Sequence, residues 1–173
     1  MKFRIGIGYD LHRLGPSASL ILGGVQIAHE KGLIGHSDGD VLSHAITDAL
    51  LGACGLGNIG EMFPDTDNRY KGVSSLKFLR HTADFIRKKG YEIGNIDSNI
   101  LAQRPKLLPY FPEMQAKIAE VLGIPANNVH VKAKTMEHLG IVGAEEAIAA
   151  EAVALVFLEL RVAFAASTRS TRL

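Results

Sequence analysis

The chain has a single cysteine, Cys54, and none of its apolar runs reaches the length needed to span a bilayer. One cysteine excludes an internal disulfide and a zinc site built from several cysteines. Because apolar residues surround Cys54 in the sequence, we expect a small buried hydrophobic residue. Residues 1–5 alternate like a strand, so no signal peptide is expected. The sequence therefore predicts a soluble, cytoplasmic protein with no membrane partner.

The chain also has no excess of positive or negative charge. The 19 Lys and Arg residues balance 18 Asp and Glu residues to a formal net charge of +1. Nucleic acids and anionic membranes are normally bound by a basic patch, so neither is an expected partner. Any polyanion bound here must be small and held by local groups. The chain also lacks the G-x-x-x-x-G-K-[ST] motif, which disfavours a nucleoside-triphosphate motor.

Hydrophobic periodicity predicts alternating strands and helices in one α/β or α+β domain. Strand patterns occur at residues 3–9, 20–22, 25–27, 93–101 and 129–133, and Gly23-Gly24 indicates a hairpin. Helical patterns occur at residues 41–50, 75–86 and 109–122. The run 147–160 is ambiguous, because its alanines favour a helix whereas its valines tolerate a buried strand. We expect the domain to cover residues 1–160 and residues 161–173 to form a flexible tail.

Asp10 and His12 lie two residues apart at the end of the first predicted strand. Side chains at this spacing share a face, so a carboxylate and an imidazole could hold one metal ion. By itself such a pair is more typical of solvated strand ends than of a metal site. Gly6 and Gly8 precede the pair, but they lack the third glycine of a dinucleotide fingerprint and are interpreted as strand glycines.

A second polar cluster leads into the first predicted helix, which Ser37 or Asp38 is expected to cap. Asp40, His44 and Asp48 are spaced i, i+4, i+8, which predicts one stripe on the face away from the apolar residues. Together with Asp10 and His12, His44 would complete three metal ligands, and three ligands with an open fourth position are typical of catalytic zinc. The remaining carboxylates are suited to fix the tautomers of the imidazoles.

A third polar cluster follows the strand pattern at 129–133. Lys132, Lys134 and Thr135 carry donors suited to phosphate oxygens, and Glu137 could hold a hard cation such as Mg²⁺ beside them. A solvated junction between a strand and a loop would have the same composition, so the pattern alone leaves both interpretations open.

In combination, these clusters give the chain a resemblance to a known family. The sequence resembles the 2-C-methyl-D-erythritol 2,4-cyclodiphosphate synthase family of the non-mevalonate isoprenoid pathway. The matching segments are residues 8–12, 23–25, 36–41, 44–52, 63–67, 102–106, 131–133 and 151–155. The resemblance covers roughly residues 3–160, and the His-Ser-Asp-Gly-Asp-Val block at 36–41 is its most specific part.

The resemblance implies a homotrimer with active sites between subunits, in which each subunit is a mixed sheet with helices on one face. It also implies that the run 147–160 is a strand. The implied substrate is 4-diphosphocytidyl-2-C-methyl-D-erythritol 2-phosphate. Its 2-phosphate would attack the β-phosphorus, close a ring and release CMP.

The resemblance also implies roles for individual residues. Asp10, His12 and His44 would hold Zn²⁺, Glu137 would hold Mg²⁺ or Mn²⁺, and His36 and Thr135 would stabilise the transition state. The implied contacts near the sugar alcohol are Asp10, Leu11, His12, His36, Ser37, Asn58, Ile59, Gly60, Phe63, Pro64, Asp65, Thr66 and Asp67. The implied contacts near cytidine and the second ion are Ala102, Gln103, Arg104, Pro105, Lys106, Leu107, Leu108, Ala133, Lys134, Thr135, Met136, Glu137 and Ile141.

Four positions depart from the usual family pattern. Asn58 stands where Asp is frequent, and Met136 and His138 replace polar or small residues around the second ion. Ala144 stands where many members have an arginine that lines a cavity on the trimer axis, so anion binding in that cavity is not expected.

Two other functions are compatible with the same metal set. A zinc-dependent phosphohydrolase would use water on a small phosphoester and would release inorganic phosphate. A non-catalytic trimeric binding protein would use the metal as a structural staple, and it would need none of His36, Thr135 and Glu137.

Overall fold

A five-stranded mixed sheet forms the centre of the structure, a computed structural model that describes residues 2–16 and 19–158. Its strands lie in the order β4-β1-β7-β5-β6, and only β5 and β6 are parallel. The hairpin β2–β3 forms a separate two-stranded sheet. The strands are β1 (Lys2–Gly15), β2 (Leu20–Leu22), β3 (Val25–Ile27), β4 (Gly32–Ile34), β5 (Tyr91–Leu101), β6 (Val129–Lys134) and β7 (Ala147–Leu158).

Three longer helices cover one face of this sheet. Helix α1 packs on β1 and β7, α4 packs on β6, and α3 packs against both helices. The helices are α1 (Val41–Cys54), α2 (Ile59–Met62), α3 (Ser75–Lys88), α4 (Phe111–Leu122) and α5 (Gly140–Gly143). The mixed α+β architecture and the three longer predicted helices are confirmed, whereas the short elements β4, α2 and α5 carry no sequence pattern that we recognised.

Helix α1 lies unusually close to the sheet because small residues stand beneath it. Gly6 and Gly8 on β1 face the helix, and a Cβ atom on Gly8 would lie 2.0 Å from the carbonyl oxygen of Ala45. The neighbouring strand β7 presents buried alanines at positions 150, 152 and 154. The interpretation of Gly6 and Gly8 as strand glycines is confirmed, and their function is to admit the helix backbone.

The ambiguous run at 147–158 is the central strand β7, as the family resemblance implied. It pairs antiparallel with β1 on one side and with β5 on the other. This double pairing satisfies its backbone groups on both edges, so its alanines serve close packing under α1 rather than helix formation. Residues 159–160 and the predicted tail at 161–173 lie outside the described residues.

The opposite face of the sheet carries large apolar side chains in the open. Phe3, Ile5, Ile7 and Tyr9 alternate with the residues that face α1, and Ile7 is 72% exposed. The sequence pattern predicted the strand correctly, but these side chains lie on the face away from the core. In the described part of the chain, no helix combines the length and apolar character required to cross a membrane.

The close approach of α1 predicts the effect of a single methyl group. Gly6→Ala would place its Cβ 2.1 Å from the carbonyl oxygen of Ala49, so the backbone must shift. We expect a loss of about 3 kcal/mol in the free energy of unfolding, measured by urea denaturation. Gly52→Ala is the matched control, because its Cβ would meet no atom closer than 3.8 Å. It should stabilise helix α1 by about 0.5 kcal/mol, and equal stability of the two variants would contradict the packing argument.

Candidate active site

The side chains of Asp10, His12 and His44 meet where β1 passes under the first turn of α1. Asp10 and His12 lie on the helix-facing side of β1, and the Asp10 Oδ2 atom is 3.0 Å from His12 Nδ1 and 2.9 Å from His44 Nδ1. One ligand atom from each residue lies within 4.8 Å of the others. The structure therefore brings together the three residues that the sequence predicted as metal ligands.

The donor atoms of this cluster fit a divalent transition metal. One carboxylate and two imidazoles suit zinc and its neighbours in the first transition row. His12 Nδ1 is buried, and among residues 2–16 and 19–158 it makes no hydrogen bond, because its contact with Asp10 has the distance but not the angle of one. A buried nitrogen without a proton partner is the kind of atom that a metal ion satisfies.

The charge state of the cluster also suits a cation. Burial raises the pKa of Asp10, but its close contacts with the two imidazoles and their electrostatic attraction outweigh it and hold that pKa well below its usual range. Burial lowers the pKa of His12, yet the adjacent Asp10 carboxylate raises it above its ordinary value overall. Asp10 is therefore ionised at neutral pH and carries the negative charge of the site.

Asp40 does not lie on an exposed polar stripe, and that prediction is wrong. It is fully buried and caps helix α1, a role that we had assigned to Ser37 or Asp38. Its carboxylate accepts hydrogen bonds from the backbone of Gly23, Gly24 and Ser43 at 2.7–3.1 Å and from the Ser43 hydroxyl at 2.7 Å. Burial raises the pKa of Asp40, and these donors oppose the rise. The sequence pattern failed because α1 is covered on almost every side, so no polar face exists.

Asp48 also serves the fold rather than the imidazoles. It is half-buried and accepts a hydrogen bond from the backbone N–H of Ile59 at 2.7 Å, which ties α2 to α1. The predicted orienting role of the remaining carboxylates is therefore wrong for Asp40 and Asp48. The atom that contacts His44 Nε2 at 2.8 Å is the hydroxyl oxygen of Ser75. We had interpreted Ser75 only as a helix start, and its proximity to His44 has no sequence signal.

We call the three candidate ligands Asp10, His12 and His44 the metal cluster. A cavity of about 350 Å³ opens in front of them. The predicted site residues that line it are Asp10, His12, His36, Ser37, His44, Ile59, Gly60, Phe63 and Asp65. Tyr70 and Phe78, which we did not predict, complete one wall with Phe63, whose ring stacks on Phe78 at 4.5 Å between centroids. The cavity thus pairs a charged floor with an aromatic wall.

Four other predicted residues of this region do not line the cavity. Asn58 caps α2 through the backbone N–H of Glu61 and also bonds the Glu61 side chain. Asp67 forms an ion pair with Arg69. Pro64 and Thr66 lie in the same turn but do not line the cavity.

A second, smaller cleft of about 110 Å³ lies at the far edge of the sheet. The predicted residues that line it are Ala102, Gln103, Pro105, Lys106, Leu107, Ala133, Lys134 and Thr135. Next to it the Thr135 hydroxyl donates to Glu137 at 3.1 Å. Glu137 and His138 adopt left-handed backbone conformations, and Gln103 contacts the His138 backbone at 3.3 Å. The turn that carries Glu137 is therefore fixed by the segment that lines the cleft.

The remaining predicted residues lie outside both clefts. Arg104 forms an ion pair with Glu145, while Leu108 and Met136 are exposed. Leu11 and Ile141 line a separate cavity of about 320 Å³, because Leu11 points to the face of the sheet opposite Asp10 and His12.

The two clefts are far apart within one chain. The metal cluster is on β1 and the second cleft is on β6, with β7 and β5 between them. Three strand spacings amount to about 14 Å. A single chain therefore does not bring Thr135 and Glu137 next to Asp10, His12 and His44.

Comparisons with known proteins place this architecture in context. Residues 3–157 match the YgbB family. The chain is 53% identical over 155 residues to the 2-C-methyl-D-erythritol 2,4-cyclodiphosphate synthase of Clostridioides difficile, covering 90% of this chain and 96% of the relative. The fold is similar to the bifunctional IspDF of Campylobacter jejuni, with a TM-score of 0.88, 42% identity and coverage of 91% of this chain and 43% of that chain. It is also similar to a CDP complex of IspF from Plasmodium falciparum, with a TM-score of 0.80, 39% identity and coverage of 91% and 97%.

The cluster geometry predicts that His44 is required for zinc binding. We expect about one zinc ion per wild-type chain in equilibrium dialysis at micromolar zinc, and none for His44→Ala, because two ligands rarely retain zinc. His130→Ala is the control, since His130 is exposed on the opposite sheet face. Full zinc stoichiometry in folded His44→Ala protein would show that the ligand assignment is wrong.

Proposed function

The chain belongs to the YgbB family, in which its curated relatives are 2-C-methyl-D-erythritol 2,4-cyclodiphosphate synthases, and on this premise we propose that it is such an enzyme. Its substrate is 4-diphosphocytidyl-2-C-methyl-D-erythritol 2-phosphate. An oxygen of the 2-phosphate attacks the β-phosphorus and forms a new P–O bond. The bond from the β-phosphorus to the oxygen it shares with the α-phosphate breaks, and that oxygen leaves with CMP.

The nucleophile belongs to the substrate, so the protein mainly positions groups and stabilises charge. Asp10, His12 and His44 would hold Zn²⁺ and Glu137 would hold Mg²⁺ or Mn²⁺, which supply charge neutralisation and orientation for the diphosphate. His36 and Thr135 donate hydrogen bonds to phosphate oxygens as negative charge concentrates there. Ser37, Ile59 and Gly60 contact the sugar alcohol, and the aromatic wall of the cavity excludes water from the reacting atoms.

The cleft around Ala102, Lys106 and Ala133 binds the cytidine. Its size, about 110 Å³, suits a base rather than the whole substrate. The similarity to a CDP complex of Plasmodium falciparum IspF supports a cytidine nucleotide as ligand. Because the cleft is lined largely by a loop and a strand end, backbone groups can read the base edge.

The separation of the two clefts is the observation that carries our proposal of a homotrimer. The metal cluster and the Thr135 cleft must act on one diphosphate, yet they lie about 14 Å apart in one chain. The exposed apolar row Phe3, Ile5, Ile7 and Tyr9 is a surface that a second copy of the chain would bury. Cyclic assembly would then join the metal cluster of one subunit to the cytidine cleft of its neighbour.

The proposed reaction predicts two products in equal amounts. We would incubate the purified protein with the cytidylyl substrate and Mg²⁺ and follow the products by phosphorus NMR. We expect CMP and the cyclodiphosphate in a one-to-one ratio, and loss of both after chelation, because the metal ions neutralise the diphosphate. Inorganic phosphate would instead indicate a phosphohydrolase, and a metal-loaded protein without turnover would indicate a binding protein.

Active sites shared between subunits predict complementation between two inactive variants. His44→Ala removes a metal ligand and Thr135→Ala removes a phosphate donor on the other side of the interface. After the two are unfolded and refolded together, about one quarter of the interfaces should combine an intact His44 with an intact Thr135. We expect turnover to recover to about that fraction of the wild-type rate, whereas each variant refolded alone stays inactive. No recovery in mixed oligomers would place each site within one chain.

A further inference from the structure

A partly buried chain of hydrogen bonds lies behind His44, on the side away from Asp10. The Ser75 Oγ atom is 2.8 Å from His44 Nε2 and donates its proton to Asp38 Oδ1. The backbone N–H of Ser75 donates to Asp38 Oδ2 at 3.0 Å. Ser75 has no exposed surface, so water does not compete for its hydroxyl. An imidazole, a hydroxyl and a carboxylate are thus linked in series.

The chemistry of these groups determines which of them donates and which accepts in each hydrogen bond. An ionised carboxylate only accepts hydrogen bonds, so the single proton of the Ser75 hydroxyl is directed to Asp38. The Ser75 oxygen is then left to accept, and the group that faces it is His44 Nε2. A proton on Nε2 leaves Nδ1 as the ligating nitrogen of a neutral imidazole. That Nδ1 atom is the one that faces Asp10 and His12.

We propose that Asp38 and Ser75 are positioning residues that hold His44 with its proton on Nε2 and so keep Nδ1 ready to bind the metal ion. We call this pair the Asp38–Ser75 relay. The proposal rests on the proposed function, in which His44 is a metal ligand. Partners of this kind, one shell behind a ligating histidine, fix its tautomer and orientation.

Ser37 is a weaker candidate for the same task. Its hydroxyl is 3.1 Å from His44 Nε2 and 3.1 Å from the Ser75 hydroxyl, and it also accepts from the backbone N–H of Gly39 at 3.3 Å. Among the residues that the structure describes, the Ser37 hydroxyl makes no hydrogen bond to a carboxylate that would direct its proton. Ser37 therefore adjusts to either tautomer, whereas the Asp38–Ser75 relay favours one.

Asp38 also has a structural role that the test must separate. Ser74, the residue before helix α3, makes no side-chain capping bond, and Asp38 Oδ2 takes over by accepting from the first N–H of the helix. This cap uses the backbone of Ser75 and not its hydroxyl. Removing the hydroxyl alone therefore leaves the cap in place.

Asp38→Asn is the decisive variant because it reverses the chain without removing it. The carboxamide oxygen, at the Oδ2 position, can still accept from the Ser75 backbone. The NH₂ group at the Oδ1 position then donates to the Ser75 hydroxyl oxygen and gives up the 3.3 Å hydrogen bond that Asp38 Oδ1 accepts from the backbone N–H of Asp40. The hydroxyl proton is thereby turned toward His44 Nε2, which favours the tautomer with the proton on Nδ1. Ser75→Ala removes the acceptor, and Ser75→Thr retains it.

Two measurements on the full-length protein test the relay. Zinc affinity is measured by competition with a chromophoric chelator, and the proton on His44 Nε2 is detected by NMR of histidine-¹⁵N-labelled protein. We expect Asp38→Asn and Ser75→Ala each to weaken zinc binding by roughly 10- to 100-fold. The Nε2 proton signal should be lost in Asp38→Asn, and Ser75→Thr should restore affinity. Ser98→Ala is the control, since Ser98 is also buried but donates to the backbone of His130.

The outcomes separate this proposal from the proposed function. If Asp38→Asn keeps both the Nε2 proton and wild-type zinc affinity, Asp38 is a helix cap only and the proposal is overturned. Should Ser75→Ala not fold, the Asp38→Asn result decides alone. Weakened zinc binding in a protein that makes no cyclodiphosphate would support the relay and refute the proposed reaction. Normal turnover with unchanged zinc affinity in both variants would support the proposed reaction and overturn the relay.

Discussion

The contact between α1 and the strand pair β1–β7 is the constraint on which the site depends. Gly6 and Gly8 have no side chains, so the helix backbone rests almost directly on the sheet. This closeness is what brings His44, on the first turn of the helix, within 2.9 Å of Asp10 on the strand. Larger residues on β1 would raise the helix and separate the imidazole from the carboxylate. The close packing of the core and the position of the candidate ligands therefore depend on the same two glycines.

Some charged groups around this contact stabilise the fold, and others face the cavity and can bind a ligand. Asp40 is buried and accepts hydrogen bonds from four protein donors. It joins the β2–β3 hairpin to the helix, so its carboxylate stabilises the fold and is not available to a ligand. Asp10 has two imidazoles as its main partners and remains open to the cavity. Two carboxylates from different polar clusters of the sequence, close to the same contact, thus differ in role because only one of them faces a space that a ligand can enter.

The distribution of residues over the sheet explains why one chain is an incomplete enzyme in our proposal. The face under the helices is filled, and the opposite face carries exposed Ile5 and Ile7. Groups suited to a diphosphate occur on β1 and again beyond β6, with two strands between them. Assembly through the open face would satisfy both features at once, since it buries apolar surface and joins the separated groups.

The sequence by itself determined the α+β class, the longer helices, most strands and the Asp/His/His set, because periodicity and the spacing of ligands are local properties. The family resemblance was needed for the run at 147–158, whose composition suits both helix and strand. Only the tertiary structure decided that Asp40 is a buried cap, that Ser75 contacts His44, and that Thr135 lies far from the metal cluster. Each of these depends on which distant segment covers a residue, and a linear pattern carries no information about what packs against it.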